Sequence, residues 1–248
     1  MSDIVNYTKD KFLGGKIKIL QPKNGFRTSL DSIFLAASIN LKKNNSILEL
    51  GCGVGTILCC LMKREKNIEV YGVEIQKSIS EIAKKNLKEN NFNGRILNSD
   101  IKKLPKEISN RCFDQIIFNP PYLCNNVFFD TKNYSKQISI KENHITLKDW
   151  IEIALKRCVD GGEISFIHRT ERLGEILEAF SSKAGYIRIL PIFSKKNKNS
   201  GRIIIKAKKG SKSNLIILPP LIVHKFKKKN NNEFTKKVKK ILFNGEII

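Results

Sequence analysis

Short apolar runs of strand length alternate along the chain with longer segments in which apolar residues recur every three to four positions. Ser46–Leu50 is an apolar run that ends in Gly51, and a helical segment follows over about 56–63. The run at 68–73 precedes a segment over 77–90 in which Ile79, Ile82, Ala83 and Leu87 share one helical face. A short run at 95–97, the run Phe113–Phe118, a helix over 147–159, a run at 163–168, a helix over 172–183, and runs at 186–191 and 202–207 complete the series. Strand and helix in regular alternation predict an open α/β sheet, mostly parallel, with right-handed crossovers. The last two runs are close enough to pair as an antiparallel hairpin across the polar loop 194–201. No internal repeat appears, and the one low-complexity patch, 225–232, reads as an exposed loop.

Ligands of such a sheet sit beyond the carboxyl ends of its strands, so the residues after each run are the candidates. After the first comes Glu49-Leu50-Gly51-Cys52-Gly53-Val54-Gly55. Glycines two apart let a backbone turn tightly and approach a ligand closely. That feature alone also fits a nucleotide-binding dehydrogenase, but the spacing here is G-x-G-x-G and not G-x-G-x-x-G. Glu74 ends the second run, where a carboxylate can accept hydrogen bonds from both hydroxyls of a ribose. Its alternative role is that of a helix N-terminal acid. After the fourth run stands Asn119-Pro120-Pro121-Tyr122. Two consecutive prolines hold the backbone extended at the ligand edge of the sheet.

Composition bounds the chemistry. The chain has 248 residues and a formal net charge of +23. Of its 46 basic residues 37 are Lys, and with 24 Asn and much Ile this is the residue set of an AT-rich genome, so part of the basicity reflects coding bias. The distribution is separate information: residues 183–248 carry net +16 and residues 1–182 only net +7. Polyanions are the natural partners of such a segment, against the alternative of a solvated Lys-rich surface without a ligand. The first residues lack a signal-peptide pattern and no run is long enough for a membrane span, which predicts a soluble cytoplasmic protein without a membrane partner. Six cysteines, at 52, 59, 60, 112, 124 and 158, form no C-x-x-C unit, so no metal site is expected and all should stay reduced. His144, His168 and His224 have no metal-ligand spacing, and His168, at the end of an apolar run, is expected to pack in the core or at its rim. Trp150 falls on a helix of apolar period and is expected in the core. The aperiodic segment 123–146, with Phe128, Phe129 and Tyr134, is long enough to be a substrate-binding loop.

With its glycine loop, following acid and Asn-Pro-Pro-Tyr, the sequence resembles the class I S-adenosylmethionine methyltransferases that act on exocyclic or amide nitrogen. The resemblance implies a Rossmann-like fold, a seven-stranded mostly parallel sheet with an antiparallel C-terminal hairpin and a short N-terminal extension. It implies S-adenosylmethionine as cofactor, held by Glu49, Gly51, Gly53, Glu74 with Ile75, Asp100 with Ile101, and Asn119. Thr28 and Asp31 would touch its methionyl part, and Ser29 or Asp31 is a plausible cap of the helix that follows, the two roles not being exclusive. The Asn119 oxygen and the Pro120 carbonyl would accept the two N–H bonds of the target nitrogen, and Tyr122 would stack on the flipped base. The opening segment around Gly14-Gly15 and Gln21-Pro22, the stretch Arg27 to Asp31 and the closing Pro220 to His224 with Glu233-Phe234-Thr235 are similar to the bacterial tRNA adenine-N6 methyltransferases acting on valine tRNA beside the anticodon. The Lys-rich stretch 225–232 departs from that pattern. A tRNA substrate follows, with a protein N5-glutamine methyltransferase, an rRNA amino-methyltransferase and a non-enzymatic RNA-binding protein as alternatives. Residues 1–45 are expected as an extension, 46–210 as the methyltransferase domain and 211–248 as a basic extension. Oligomeric state cannot be read from the pattern.

Overall fold

The computed structural model describes residues 7–23, 27–122, 145–225 and 233–248. The chain opens with a hairpin in which β1 (Tyr7–Phe12) pairs antiparallel with β2 (Ile17–Pro22). Ile17 and Ile19 point into the core while Lys18 between them is exposed, the period of a half-buried strand. Then follow α1 (Leu30–Ser38), β3 (Ser46–Leu50), α2 (Thr56–Arg64), β4 (Glu69–Glu74), α3 (Lys77–Glu89), β5 (Arg95–Asn98), the short α4 (Lys106–Ser109) and β6 (Phe113–Phe118). Past the undescribed residues 123–144 the chain continues as α5 (Leu147–Arg157), β7 (Cys158–Arg169), α6 (Leu173–Phe180), β8 (Ala184–Phe193) and β9 (Ser200–Lys209). Two-residue strands β10 (Ile216–Ile217) and β11 (Leu221–Ile222), the single turn α7 (Lys236–Lys239) and a π-helical turn (Lys240–Asn244) complete the described chain.

The main sheet runs β10-β8-β9-β7-β6-β3-β4-β5, with β11 also beside β8. Pairs within β5-β4-β3-β6-β7 are parallel, and β9 lies antiparallel between β7 and β8. The seven expected strands are all present with the expected hairpin; β10 and β11 add two strands too short to leave a periodic signal. The helix expected over 147–159 stops at Arg157. Its start is set by a capping box, Thr146 Oγ1 accepting from the Asp149 N–H and the Asp149 carboxylate accepting from the Thr146 N–H. Cys158 to Asp160 instead begin β7, and a register shift opposite Phe113 and Gln115 absorbs the extra residues. The helix expected over 172–183 ends at Phe180, beyond which Ser181 takes a left-handed φ of 41° and a 3-10 turn leads into β8.

Two apolar layers sandwich the sheet, as the alternation of β3 requires. Ile47 faces a core that includes Ile33, Phe34 and Leu35 of α1, Leu58 and Leu61 of α2, Leu87 of α3 and Ile17 and Ile19 of the hairpin. Leu48 and Leu50 face the opposite core, with Phe113, Phe118, Trp150, Phe166 and Phe180. Phe118 stacks on Phe166 at 4.5 Å and on Trp150 at 5.7 Å between ring centres, so Trp150 is a core residue. Among the described residues no helix is long and apolar enough to cross a membrane. Five cysteines are free thiols, with Cys112 exposed and the other four buried, while Cys124 lies outside the described residues.

A buried amide joins the hairpin to the sheet. Asn86 of α3 is fully buried; its Oδ1 accepts the Leu20 N–H at 2.7 Å and its Nδ2 donates to the Leu20 and Val54 carbonyls at 3.0 and 2.9 Å. Removing it leaves three backbone groups without partners in a site water cannot easily reach. Urea denaturation of Asn86→Ala is expected to show a loss of about 3 kcal/mol. Asn86→Asp should lose a comparable amount, because a carboxylate cannot donate to the two carbonyls.

Candidate active site

In the parallel register Leu50 pairs with Val73 of β4 on one side and with Phe118 of β6 on the other. Gly51, Glu74 and Asn119 therefore emerge side by side at one sheet edge. Glu74 in turn pairs with Asn98 of β5, which puts Asp100 at the same edge. The loop after β3 turns through φ of +65° at Gly51, +54° at Gly53 and +79° at Gly55, where α2 begins. At Gly51 a side chain would also strike the Trp150 ring, 2.7 Å from where its Cβ would sit. At Gly53 the same position opens onto empty space, so the bare backbone faces the edge of the sheet.

Two buried carboxylates flank this loop. Glu74 Oε2 accepts the Gly53 N–H at 3.0 Å and Oε1 accepts the Gln76 N–H at 2.8 Å. Burial raises its pKa, and those N–H bonds oppose the shift. Glu49 is buried as well, and its Oε2 has no hydrogen-bond partner among the described residues. Burial first, then the nearby Glu74 charge, push its pKa well above the usual carboxylate range, against a lowering backbone contact from Leu58. The Glu49 oxygen that no donor reaches among the described residues accommodates a ligand that brings its own hydroxyl or ammonium hydrogens. Ile75 next to Glu74 is half exposed, at 51%, and offers an apolar surface. Asp100 caps a 3-10 turn, its Oδ1 accepting the Lys102 N–H at 2.8 Å, and Ile101 after it is buried.

The segment 27–32 crosses from the glycine loop to the Asn-Pro-Pro-Tyr turn. Thr28 Oγ1 lies 2.6 Å from Thr56 Oγ1 at the start of α2, and the Thr28 N–H donates to Gln21 Oε1 at 2.7 Å. Gln21 Nε2 and Arg27 both bind Asp10, tying the segment to the hairpin. Of the two candidate caps Ser29 takes the position and Asp31 does not. Ser29 occupies the N-cap of α1 without a side-chain cap bond, and Asp31 in the first turn accepts from Tyr122 Oη at 2.9 Å and from Arg202 Nε at 3.1 Å. Asn119 Oδ1, 2.6 Å from Tyr122 Oη, is a second acceptor for the same hydroxyl hydrogen, while Asn119 Nδ2 donates to Ser32 Oγ at 3.2 Å. The tyrosine thus sits with its hydroxyl turned inward, and the Arg202 guanidinium lies over its ring at 4.8 Å. His168 meets it edge-on at 5.2 Å. Burial, then the Asp31 charge, raise the Tyr122 phenol well above its ordinary range. Pro120 is buried.

The structure gathers Glu49, Gly51, Gly53, Glu74, Ile75, Asp100 and Ile101 on the side of β3 and β4, and Asn119, Pro120 and Tyr122 beyond β6. Thr28 belongs to the first group by contact and Asp31 to the second. Sequence reasoning missed Ser32 and Arg202, whose only signal was a polar residue on an apolar helix and strand. It placed His168 correctly in the core without its contact to Tyr122. The candidate substrate loop 123–146, apart from Ile145 and Thr146, with His144 and the lysines at 227–229, lies outside the described residues.

A parallel sheet with a glycine loop and a buried acid at adjacent strand ends, closed by an antiparallel β8–β9 pair, defines the class I methyltransferases. The chain belongs to the methyltransferase small domain family, whose model matches residues 27–170. It is similar to the tRNA1(Val) (adenine(37)-N6)-methyltransferase of Actinobacillus succinogenes, with 28% identity over 75% of this chain and 78% of that protein. The protein of the same name from Haemophilus influenzae is 28% identical over 63% of this chain and 67% of its own length. A solved structure of a predicted O-methyltransferase from Agrobacterium tumefaciens superposes with a TM-score of 0.69 at 25% identity, covering 88% of this chain and 98% of that one. The chain is therefore an S-adenosylmethionine-dependent methyltransferase. The site fits that cofactor in kind: Glu49 keeps an oxygen without a donor among the described residues, the backbone at Gly53 is open and Ile75 is exposed.

His168 is fully buried, and neither ring nitrogen has a hydrogen-bond partner among the described residues. Burial, then the Arg172 charge, lower its pKa from 6.5 to about 4. The unfolded chain then binds the extra proton between these values, so this contribution is complete above pH 6.5 and is lost as pH falls towards 4. The shift corresponds to about 3 kcal/mol. Chemical denaturation at pH 7 and pH 4.5 should show a larger acid loss of stability for the parent protein than for His168→Phe; equal losses would remove His168 as the source.

Proposed function

We propose that the enzyme transfers a methyl group from S-adenosylmethionine to the N6 amino nitrogen of an adenosine in tRNA, the valine tRNA position beside the anticodon being the specific target. The observation that carries this reading is the Asn119 amide, oriented by Ser32 and Tyr122 one strand from the glycine loop. The likeness to tRNA1(Val) (adenine(37)-N6)-methyltransferases supports the choice of nucleic acid and nitrogen.

S-adenosylmethionine supplies an electrophilic sulfonium methyl. Glu74 takes the ribose hydroxyls with the lone pairs its backbone bonds leave free, Asp100 takes the adenine amino group, and Ile75 and Ile101 line the ring. Glu49, the backbone of Gly51 and Gly53, and Thr28 hold the methionyl part. An adenine amino group is a poor nucleophile, because its lone pair is delocalised into the ring. Asn119 Oδ1 and the Pro120 carbonyl accept its two N–H bonds and so draw the nitrogen towards a tetrahedral geometry as it attacks. Tyr122 offers its ring to the base.

The basic C-terminal region supplies a grip on RNA. β8 is antiparallel to β9 and β9 to β7, so β8 ends at the same sheet edge as β6 and β7. The loop leaving it carries Lys195, Lys196 and Lys198 beside the site. This is an enzyme of the cytoplasm, where tRNA is found.

Three measurements test the reading. Glu74→Ala should weaken S-adenosylmethionine binding by about 2–3 kcal/mol in calorimetry, on the order of a hundredfold; unchanged affinity would take Glu74 out of the site. Asn119→Ala should lower the rate of methyl transfer to tRNA by about two to three orders of magnitude with cofactor affinity intact; parent-level turnover would refute the positioning role. Log affinity for tRNA should fall linearly with log salt, by roughly 0.7 to 0.9 per phosphate contact. Neutralising Lys195, Lys196 and Lys198 together should flatten that slope. A protein substrate labelled in place of tRNA would favour the glutamine methyltransferase instead.

A further inference from the structure

The Tyr122 hydroxyl has one hydrogen and two acceptors, Asn119 Oδ1 at 2.6 Å and Asp31 Oδ2 at 2.9 Å. Asn119 Oδ1 is also the oxygen that must accept an N–H from the target amine, so a hydroxyl donating to it competes with the substrate. We infer that Asp31 and Arg202 form a positioning pair that takes the Tyr122 hydroxyl hydrogen off Asn119 when the amine arrives, freeing the amide oxygen for the nucleophile. The inference rests on the reading of Asn119 given above.

The exchange needs only rotation of a phenolic hydrogen, with every heavy atom left in place. Asp31 is the stronger acceptor by charge, and α1 aims it at the hydroxyl from the helix's first turn. Arg202 holds that carboxylate in place. Its Nε donates to the same Oδ2 at 3.1 Å, its Nη1 is anchored on the Gly201 carbonyl at 3.0 Å, and its plane covers the Tyr122 ring at 4.8 Å. One residue thereby fixes the carboxylate in line with the hydroxyl and keeps the ring still while the hydrogen moves. A planar guanidinium can do both, whereas a lysine ammonium could pair with Asp31 but could not stack in the same geometry. Among the described residues the ring also meets the edge of His168, and Ser32 holds the other end of the Asn119 amide. Neither competes for Oδ1.

The test uses the full chain, S-adenosylmethionine and an unmodified valine tRNA transcript. Arg202→Ala should lower kcat about 10- to 100-fold with the S-adenosylmethionine dissociation constant unchanged. Arg202→Lys should recover part of that loss. In a Tyr122→Phe background Arg202→Ala should cost much less than in the parent, because the hydroxyl on which the pair acts is gone. Effects that multiply, a change confined to KM for tRNA, or weakened cofactor binding would each overturn the inference. A readout independent of turnover is the 13C resonance of tyrosine labelled at Cζ, assigned to Tyr122 by its disappearance in Tyr122→Phe. It should move in both Asp31→Asn and Arg202→Ala; an unmoved resonance overturns the pairing. Absence of methyl transfer to any tRNA would instead refute the substrate reading, while the resonance still decides the pair.

Discussion

Because Leu50 pairs with Val73 on one side and Phe118 on the other, three parallel strands end level with one another, and the loops that leave them deliver the groups of the site. A slip of one residue in either pairing would turn the inward side chains outward and separate the glycine loop from Glu74 or from Asn119. Burial on both faces prevents the slip. Ile47 packs into one core, Leu48 and Leu50 into the other, and the stacked Phe118, Phe166 and Trp150 lock the strand next to the nucleophile loop.

Helix α1 converts that edge into a pocket with two sides. Thr28 just before it reaches Thr56 beside the glycine loop, while Asp31 and Ser32 in its first turn reach Tyr122 and Asn119. The helix is clamped to β9 at both ends. Arg202 binds Asp31 near its start, and Lys206 donates to the Ser38 carbonyl at its last residue at 2.9 Å. Lys206 is buried and balanced by Glu163, which also binds Arg188, so the antiparallel pair that closes the sheet also holds α1 in place. Through Gln21, Arg27 and Asp10 the same segment is joined to the N-terminal hairpin, and through Asn86 the hairpin is joined to α3 and Val54.

Several of these groups carry a folding cost that an inert core would avoid. Glu49 and His168 are buried with polar atoms that find no partner among the described residues, and burial of Glu74 raises its pKa. Such groups favour a ligand that brings donors, since the desolvation has already been met in the folded protein. On the other side of β3 the polar atoms of Asn119 and Tyr122 are satisfied by one another and by α1, which keeps the turn ordered before substrate arrives.

Local pattern alone determined the alternation of strands and helices, the hairpin of β8 and β9, the glycine loop and the rigid turn at Asn119, because each depends on neighbours within a few residues in sequence. Strand period, helix period and the backbone limits of Gly and Pro are properties of short segments. The same limits explain what escaped: β1 and β2 were masked by the polar faces of an amphipathic hairpin, and two-residue β10 and β11 have no period to read. Tertiary structure decided which polar residues meet. Asp31 and Arg202 stand 171 positions apart and Ser32 and Asn119 87 apart, and nothing in either neighbourhood announces the other. Their contact is set by strand order, register and the seat of α1 on the sheet, which are determined by packing over the whole molecule and not by the residues that touch.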